Sequence, residues 1–326
     1  MIRLNFLQYN PSDFELKKSL SLDSLVTNLE FESLCKEFLN ALSFKKLKTF
    51  SFSKEGFLGL LLELKDKKIA ISKAESEALI DASRVYEDLG FNITYLPLNQ
   101  DGSIDISSLK NQNFDYIFLS SYTMDTFLSV DLKEIKVLTT AKIVSNASAD
   151  LSPFSDIIYF DNYKLSGYFL SSVMMFNDDS FHQNNIAFTD SFAIYSCFKS
   201  YQNIKKDINI KDIFLTKLQD RFKENLYFFV DNKNTLNNSF HIALKGIKAR
   251  EIIRTLAFNN IFLSNGEGCS LGLSKPSRVI AEMGYEESLC RNALSFSFNE
   301  NYKEEEIDFV VEQLYKKYIQ IKSLQE

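Results

Sequence analysis

The sequence predicts an α/β fold, in which a large, mainly parallel sheet is covered by helices and followed by a smaller α+β unit. Three observations carry this. Short β-like runs alternate with helical ones between Leu47 and Phe160, as in a parallel sheet with helices on both faces. Beyond about residue 207 the order changes to a helix, two strands, a helix and a strand. The 326 residues, 45% apolar and 25% charged with four prolines, suffice for about two domains of roughly 150 residues.

The first element is a helix within 22–42, where Leu25, Leu29, Leu34, Phe38, Leu39 and Leu42 recur at helical spacing. Leu47–Phe52 and Gly56–Leu64 read as strand and helix, and Ile69–Ser72 and Ala74–Leu89 repeat the pair. Strands follow at Asn92–Leu96, Tyr116–Ser120, Lys142–Ser145 and Ile157–Phe160. Asp101-Gly102 marks a turn, since glycine accepts positive φ. After the apolar run Tyr168–Phe176, helices are expected at Phe192–Tyr201 and Ile210–Phe222 and strands at Leu226–Val230 and Phe240–Leu244. A helix at Ala249–Phe258, a strand at Ile261–Ser264 and a long helix within Lys303–Leu324 complete the chain. The last opens on Glu304-Glu305-Glu306, which suits a helix N-terminus. These patterns place a large domain at 13–206 and a small one at 207–326, the latter joined by 1–12.

Composition excludes several classes of function. The longest apolar stretches fall short of the roughly 18–20 residues needed to cross a bilayer, and the first residues carry no continuous apolar segment of the secretory kind. No membrane association and a cytoplasmic location are therefore expected. The four cysteines, Cys35, Cys197, Cys269 and Cys290, are widely spaced and read as free thiols. Two histidines, His182 and His241, leave little from which to build a zinc site, and no metal is expected. A net charge of −6 argues against nucleic acid. Neither GxGxxG nor GxxxxGK[ST] occurs, so the two strongest nucleotide fingerprints are missing.

Two places offer chemistry. Ten glycines serve the whole chain, yet three of them crowd into 266–272, where the backbone must bend or approach something closely. Cys269 lies in that stretch, either in a plain glycine-rich turn or as an exposed nucleophilic thiol. Lys164 follows the strand at Ile157–Phe160 and precedes the next apolar run. It is either a solvated loop lysine or a desolvated amine able to form a Schiff base with a carbonyl cofactor.

Read together, these segments resemble the cysteine desulfurases of the class V aminotransferase family, which belong to the fold-type-I pyridoxal-phosphate enzymes. SNGEGCS at 264–270 looks like the family's catalytic-loop pattern Ser-Ser-Gly-Ser-Ala-Cys, with Pro276-Ser277-Arg278-Val279 and Met283-Gly284 following at the family's spacing. The stretch from Ala293 through Glu304-Glu305-Glu306-Ile307-Asp308 resembles the closing strand and helix. Tyr95-Leu96-Pro97-Leu98 through Asp101-Gly102-Ser103-Ile104-Asp105 matches the stretch after the cofactor-stacking helix. Asp161-Asn162-Tyr163-Lys164-Leu165-Ser166-Gly167 stands in the place of Ser-x-His-Lys-x-x-Gly. The resemblance spans nearly the whole chain. It implies a fold-type-I architecture, pyridoxal 5'-phosphate held by Lys164 as an aldimine, and a Cys269 that takes sulfur from a cysteine-like amino acid as a persulfide. It also implies a symmetric homodimer and a sulfur-acceptor protein.

Several positions depart from the family's pattern. The Asp at the pyridine nitrogen is replaced by Ser145 or Asn146, and a hydroxyl there bonds the nitrogen without keeping it charged. The stacking histidine falls at Ser76. The Gly-Ala-Thr phosphate cradle falls at Ser53-Lys54-Glu55, with an acid that repels phosphate if it points inward. The Asn at the phenolic oxygen falls at Thr123 or Met124, and the Gln of the cofactor strand at Ser148. The substrate-gripping arginine falls at Ser295, with Arg291 as the nearby substitute. Three readings stay open at this point: a desulfurase, a fold-type-I relative of another reaction, and a non-catalytic partner or scaffold that keeps only the fold.

Overall fold

The computed structural model describes residues 1–4, 29–109, 112–183, 189–204, 208–266 and 275–324. In chain order the elements are β1 (Ile2–Arg3), α1 (Leu29–Leu42), β2 (Lys46–Phe50), α2 (Lys54–Glu63), β3 (Ile69–Ser72), α3 (Glu77–Asp88), β4 (Ile93–Leu96), β5 (Tyr116–Phe118), α4 (Leu132–Leu138), β6 (Lys142–Asn146), β7 (Ile157–Phe160), α5 (Asn162–Ser166) and β8 (Ser172–Phe176). They continue with α6 (Ser191–Gln202), α7 (Lys211–Phe222), β9 (Leu226–Tyr227), β10 (Ser239–Leu244), α8 (Ala249–Ala257), β11 (Ile261–Phe262), α9 (Arg278–Glu282), α10 (Glu287–Cys290), β12 (Ala293–Ser297) and α11 (Glu304–Ser323).

Seven strands form one sheet in the order β2-β8-β7-β6-β5-β3-β4. All run parallel except β8, which is antiparallel to both of its neighbours. Every residue of β3, β5, β7 and β8 is buried, which is why these segments read as continuous apolar runs without alternation. On one face Phe57, Leu60, Leu79, Ile80 and Tyr86 of α2 and α3 pack against the strands. On the other, Phe38 of α1 and Ile194 and Phe198 of α6 cover β7 and β8.

A second core lies around the three-stranded antiparallel sheet β12-β10-β9, covered by α7, α8 and α11. The helix faces follow the sequence spacing: Ala249, Ile252, Ile253 and Leu256 of α8 are buried, as are Ile307, Val310, Val311, Leu314, Tyr318 and Ile321 of α11. The chain's first residues reach this unit, because β1 pairs in parallel with β11 and Leu4 is buried in the same cluster. A further cluster joins the two units, packing Leu96, Ile104 and Leu128 with Val230, Ile280 and Met283.

Three local expectations change. Leu132–Leu138 is a short helix that periodicity does not announce. It holds two buried residues, Leu132 and Ile135, and owes its start to the Asp131 carboxylate, which accepts from the N–H groups of Lys133 and Glu134. The apolar run at 168–176 is strand only from Ser172, and the run at 226–230 only to Tyr227. Among the described residues no helix is long and apolar enough to cross a membrane.

The expected turn at Gly102 is present, with φ +84. A Cβ there would lie 2.8 Å from Val230 Cγ1 and 3.3 Å from the ends of Leu128 and Met283. Gly102→Ala is therefore expected to lose about 1–3 kcal/mol in urea unfolding, from backbone strain and overpacking together. A second expected result concerns His241, which is 0% exposed on β10 and whose Nε2 accepts from Phe229 N–H. Burial lowers its pKa from 6.5 to about 4. The unfolded chain thus takes the proton first, and stability present above pH 6.5 is lost as the pH falls toward 4, by up to roughly 3 kcal/mol. Urea midpoints at neutral and acid pH check this, with His241→Gln flattening the difference.

Candidate active site

The carboxyl ends of β3, β5, β6 and β7 lie together, and the turns leaving them meet the start of α9 from the smaller unit. Between them opens a cleft of about 260 Å³ whose wall includes Ser76, Met124, Asp125, Lys164, Gly266 and Arg278. A cleft at this end of a parallel sheet is where ligands gather in such folds.

Lys164 is not on a loop between strands, as its sequence context suggested, but on α5. Five residues form this helix because both ends are capped: the Asp161 carboxylate accepts from Tyr163 N–H, and Gly167 leaves the helix at φ +88 while donating to Tyr163 O. Asn162 anchors the turn to α6 by donating to Ala193 O at 2.9 Å. Lys164 is 5% exposed, with Nζ 3.6 Å from Met124 Sδ. Beside it, burial pushes the Asp161 carboxyl up, against the pull of the Lys164 charge and two backbone N–H groups.

Under the cleft lies a second buried acid. Glu75 Oε1 accepts from Ser120 N–H at 2.6 Å and from Ser120 Oγ at 2.7 Å, and Oε2 accepts from the Tyr159 hydroxyl at 3.2 Å. Burial raises this carboxyl despite those donors and the charge of Arg278. Arg278 donates to the carbonyls of Lys73, at 2.6 Å, and Glu75, so the first residue of α9 clamps the turn that carries Ser76. Ser277 caps α9 and donates to Asp125 Oδ2 at 2.6 Å. Asp125 and Phe127 both have positive φ, +64 and +60, an arrangement costly for a phenylalanine and maintained by the hydrogen bonds of the turn. Gly266 has no Cβ because one would stand 2.5 Å from Asp125 Oδ1. The close approach expected of the glycine-rich stretch is thus found at its first residue.

Of the residues nominated from sequence, Lys164 and Ser76 line the cleft, Ser76 while also capping α3. Thr123 does not: its hydroxyl is bonded to that of Thr126, and Met124 takes the cleft position. Ser148 accepts from Asp161 N–H at 2.8 Å and so ties the end of β6 to the Lys164 turn without lining the cleft. Ser145 is buried within β6, and the last residue of that strand is Asn146. Ser53 caps α2, accepting from Gly56 N–H. The neighbouring Glu55 carboxyl is held down by its own N–H and the Ser53 hydroxyl, and neither residue lines the cleft. Arg291 is also elsewhere, at the end of α10 and paired with Glu287 one turn back, because the helix ends before β12 and directs it outward. Cys269 lies outside the described residues. Gly266 and Lys275, on either side of its segment, both line the cleft.

Asp125 and Glu75 stand in no motif of the sequence, and Arg278 stands there only within Pro276-Ser277-Arg278-Val279, with no role attached. Nothing in the sequence tells that the first side chain of α9 reaches back to the carbonyls of the β3–α3 turn.

No family model matches the chain. Among curated proteins it is similar to cysteine desulfurase IscS of Buchnera aphidicola subsp. Schizaphis graminum, 23% identical in an alignment 293 positions long that covers 80% of this chain and 72% of that protein. IscS of Pasteurella multocida is 24% identical over 281 residues, covering 76% and 69%. Among solved structures, a NifS-like protein superposes with TM-score 0.76 at 12% identity, over 97% of this chain and 98% of that one. A NifS-like protein from Rickettsia africae gives TM-score 0.72 at 16% identity, over 98% and 99%. The chain has the class V aminotransferase-like fold of the cysteine desulfurases. This NifS-like, fold-type-I architecture is the one expected from the resemblance, and it accounts for the single antiparallel strand, the smaller unit behind the sheet and the cleft between them.

Proposed function

We propose that this NifS-like chain is a pyridoxal-phosphate-dependent enzyme of the cysteine desulfurase kind. The observation that carries the reading is Lys164, a buried lysine on a capped turn at the carboxyl end of the sheet, beside a cleft, in a fold shared with NifS-like proteins. The residue that suits the cofactor's aldehyde is Lys164, whose amine is shielded from water at the wall of the cleft. When bound, pyridoxal phosphate supplies an aldehyde that captures amino groups and a ring that draws electrons from the adjacent carbon. Lys164 holds the group and afterwards carries a proton at Nζ. Ser76 and Met124, which line the cleft, would flank the bound group, and Arg278 keeps the Ser76 turn in place. Cys269 Sγ attacks the substrate sulfur as thiolate. The carbon–sulfur bond breaks, the carbon keeps the electron pair and takes a proton, and the products are alanine and a Cys269 persulfide. A cysteine-like amino acid is the substrate, a protein thiol accepts the sulfur, and a symmetric cytoplasmic homodimer is the working form.

Titration with pyridoxal phosphate, followed by absorption and by release of sulfide and alanine from cysteine, tests the reading. An unchanged spectrum at saturating cofactor overturns it. One observation favours the non-catalytic alternative in that event: Asp161 places a buried carboxyl where the family's pattern has a serine, beside the lysine that would hold an anionic cofactor.

A further inference from the structure

Residues 267–274, which include Cys269, leave and rejoin the described structure at one carboxylate. On the way in, Gly266 packs so closely on Asp125 that a Cβ would stand 2.5 Å from Oδ1. On the way out, Ser277 Oγ donates to Asp125 Oδ2 at 2.6 Å, and both residues are 6% exposed. A further bond crosses between the two sides, from Asn265 Nδ2 to Lys275 O at 3.3 Å. All five residues line the cleft. Asp125 itself stands on a turn of unfavourable backbone, with φ +64 there and +60 at Phe127. The smaller unit braces that turn, because Leu236 N–H donates to Phe127 O at 3.0 Å and Ser129 N–H to Asn234 O at 2.8 Å. Met124, the residue before Asp125, has its Sδ 3.6 Å from Lys164 Nζ. The same turn thus touches the buried lysine and both ends of the cysteine's stretch.

We infer that Asp125 is a positioning residue, which acts through Gly266 and Ser277 to set where Cys269 stands relative to a substrate held at Lys164. The inference rests on the cofactor reading above and adds to it. Attack of a thiolate on the substrate sulfur needs the two atoms within about 3–3.5 Å and aligned, and an error of about 1 Å costs roughly a hundredfold. A carboxylate suits the task because it presents two oxygens in one plane, one to each end of the stretch, and because a charged acceptor binds a hydroxyl more strongly than a neutral one. Backbone strain persists where the surroundings hold it, and here it aims the carboxylate at both ends.

The test uses the full-length protein, loaded with pyridoxal phosphate, and three variants. Asp125→Gly removes the carboxylate and adopts positive φ without strain. It is expected to keep cofactor uptake and the KM for cysteine within about twofold, while kcat for sulfide release falls roughly thirtyfold. Asp125→Asn keeps the shape and an acceptor for Ser277, and is expected to recover kcat to within about threefold of the wild type. A residue that only stabilised the fold would move uptake, KM and kcat together. Amide hydrogen exchange across 265–277, read by mass spectrometry, gives a measure apart from activity and is expected to be about tenfold faster in Asp125→Gly than in the wild type. Should the glycine variant fail to fold, Ser277→Asp keeps a cap for α9 but faces Asp125 with an acceptor, and the same fall in kcat is expected. Unchanged kcat and exchange in Asp125→Gly, or an equal loss in Asp125→Asn, overturns the inference and leaves the cofactor reading intact. No uptake of cofactor by the wild type overturns both.

Discussion

Lys164→Ala is expected to lose all pyridoxal phosphate that borohydride can fix, and to desulfurate cysteine roughly a thousandfold more slowly than the wild type, the scale for removing a positioned proton-transfer group. Among the described residues the cleft offers one other lysine, Lys275, whose side chain is 68% exposed and faces Glu77 at 3.7 Å. A solvated, charged amine is a poor nucleophile toward an aldehyde, whereas Lys164 sits out of water on a turn capped at both ends. Lys164→Arg separates charge from chemistry, since it keeps a cation beside Asp161 and cannot form the covalent bond. The check is peptide mapping after borohydride reduction. Label on Lys275, or undiminished uptake in Lys164→Ala, would show that the buried lysine is not the anchor.

Cys269→Ser is expected to take up cofactor as the wild type does and to release sulfide from cysteine at least about a hundredfold more slowly, with no gain of one sulfur atom in the protein's mass. The other cysteines do not stand in for it. Burial and the nearby Glu32 charge push the Cys35 thiol up to about 12. Cys197 is fully buried in α6, and burial holds its thiol well above the ordinary range. Cys290 is buried, with its Sγ–H directed to Tyr285 O. All three remain thiols at neutral pH, and a thiol is a weak nucleophile. Sulfide release that survives in Cys269→Ser would remove the persulfide step and direct attention to another reaction on the same fold.

These two residues differ in what could be read of them in advance. Lys164 was visible as a lysine after a strand and before a glycine, but its burial was not, because five residues are too few for a helical period to show. The helix follows from Asp161 and Gly167 at its ends and from the anchoring of Asn162 to α6. Ser145 and Asn146 were equivalent in sequence, two polar residues at a strand end. Only the register of β6 with β7, which pairs Asn146 with Tyr159, and the hydrogen bond from Ser148 N–H distinguish them. Thr123 and Met124 were likewise adjacent candidates. The positive φ values at Asp125 and Phe127 fold the following turn so that Thr123 meets Thr126 and Met124 faces Lys164.

The sequence by itself determined the α/β class, most of the strands and helices in their order, the turn at Gly102 and the resemblance that nominates Lys164 and Cys269. Each of these depends on residues close together in the chain: hydrophobic period, caps and short motifs. Tertiary structure alone decided which polar groups meet. It joined Glu75 to Ser120 and Tyr159, Arg278 to the carbonyls of Lys73 and Glu75, and Asp125 to Ser277, and it sent Arg291 to the surface. Those pairings span up to 205 residues of chain. They are set by how the smaller unit packs across the ends of the parallel strands, where a buried donor or acceptor must find a partner that no local pattern specifies.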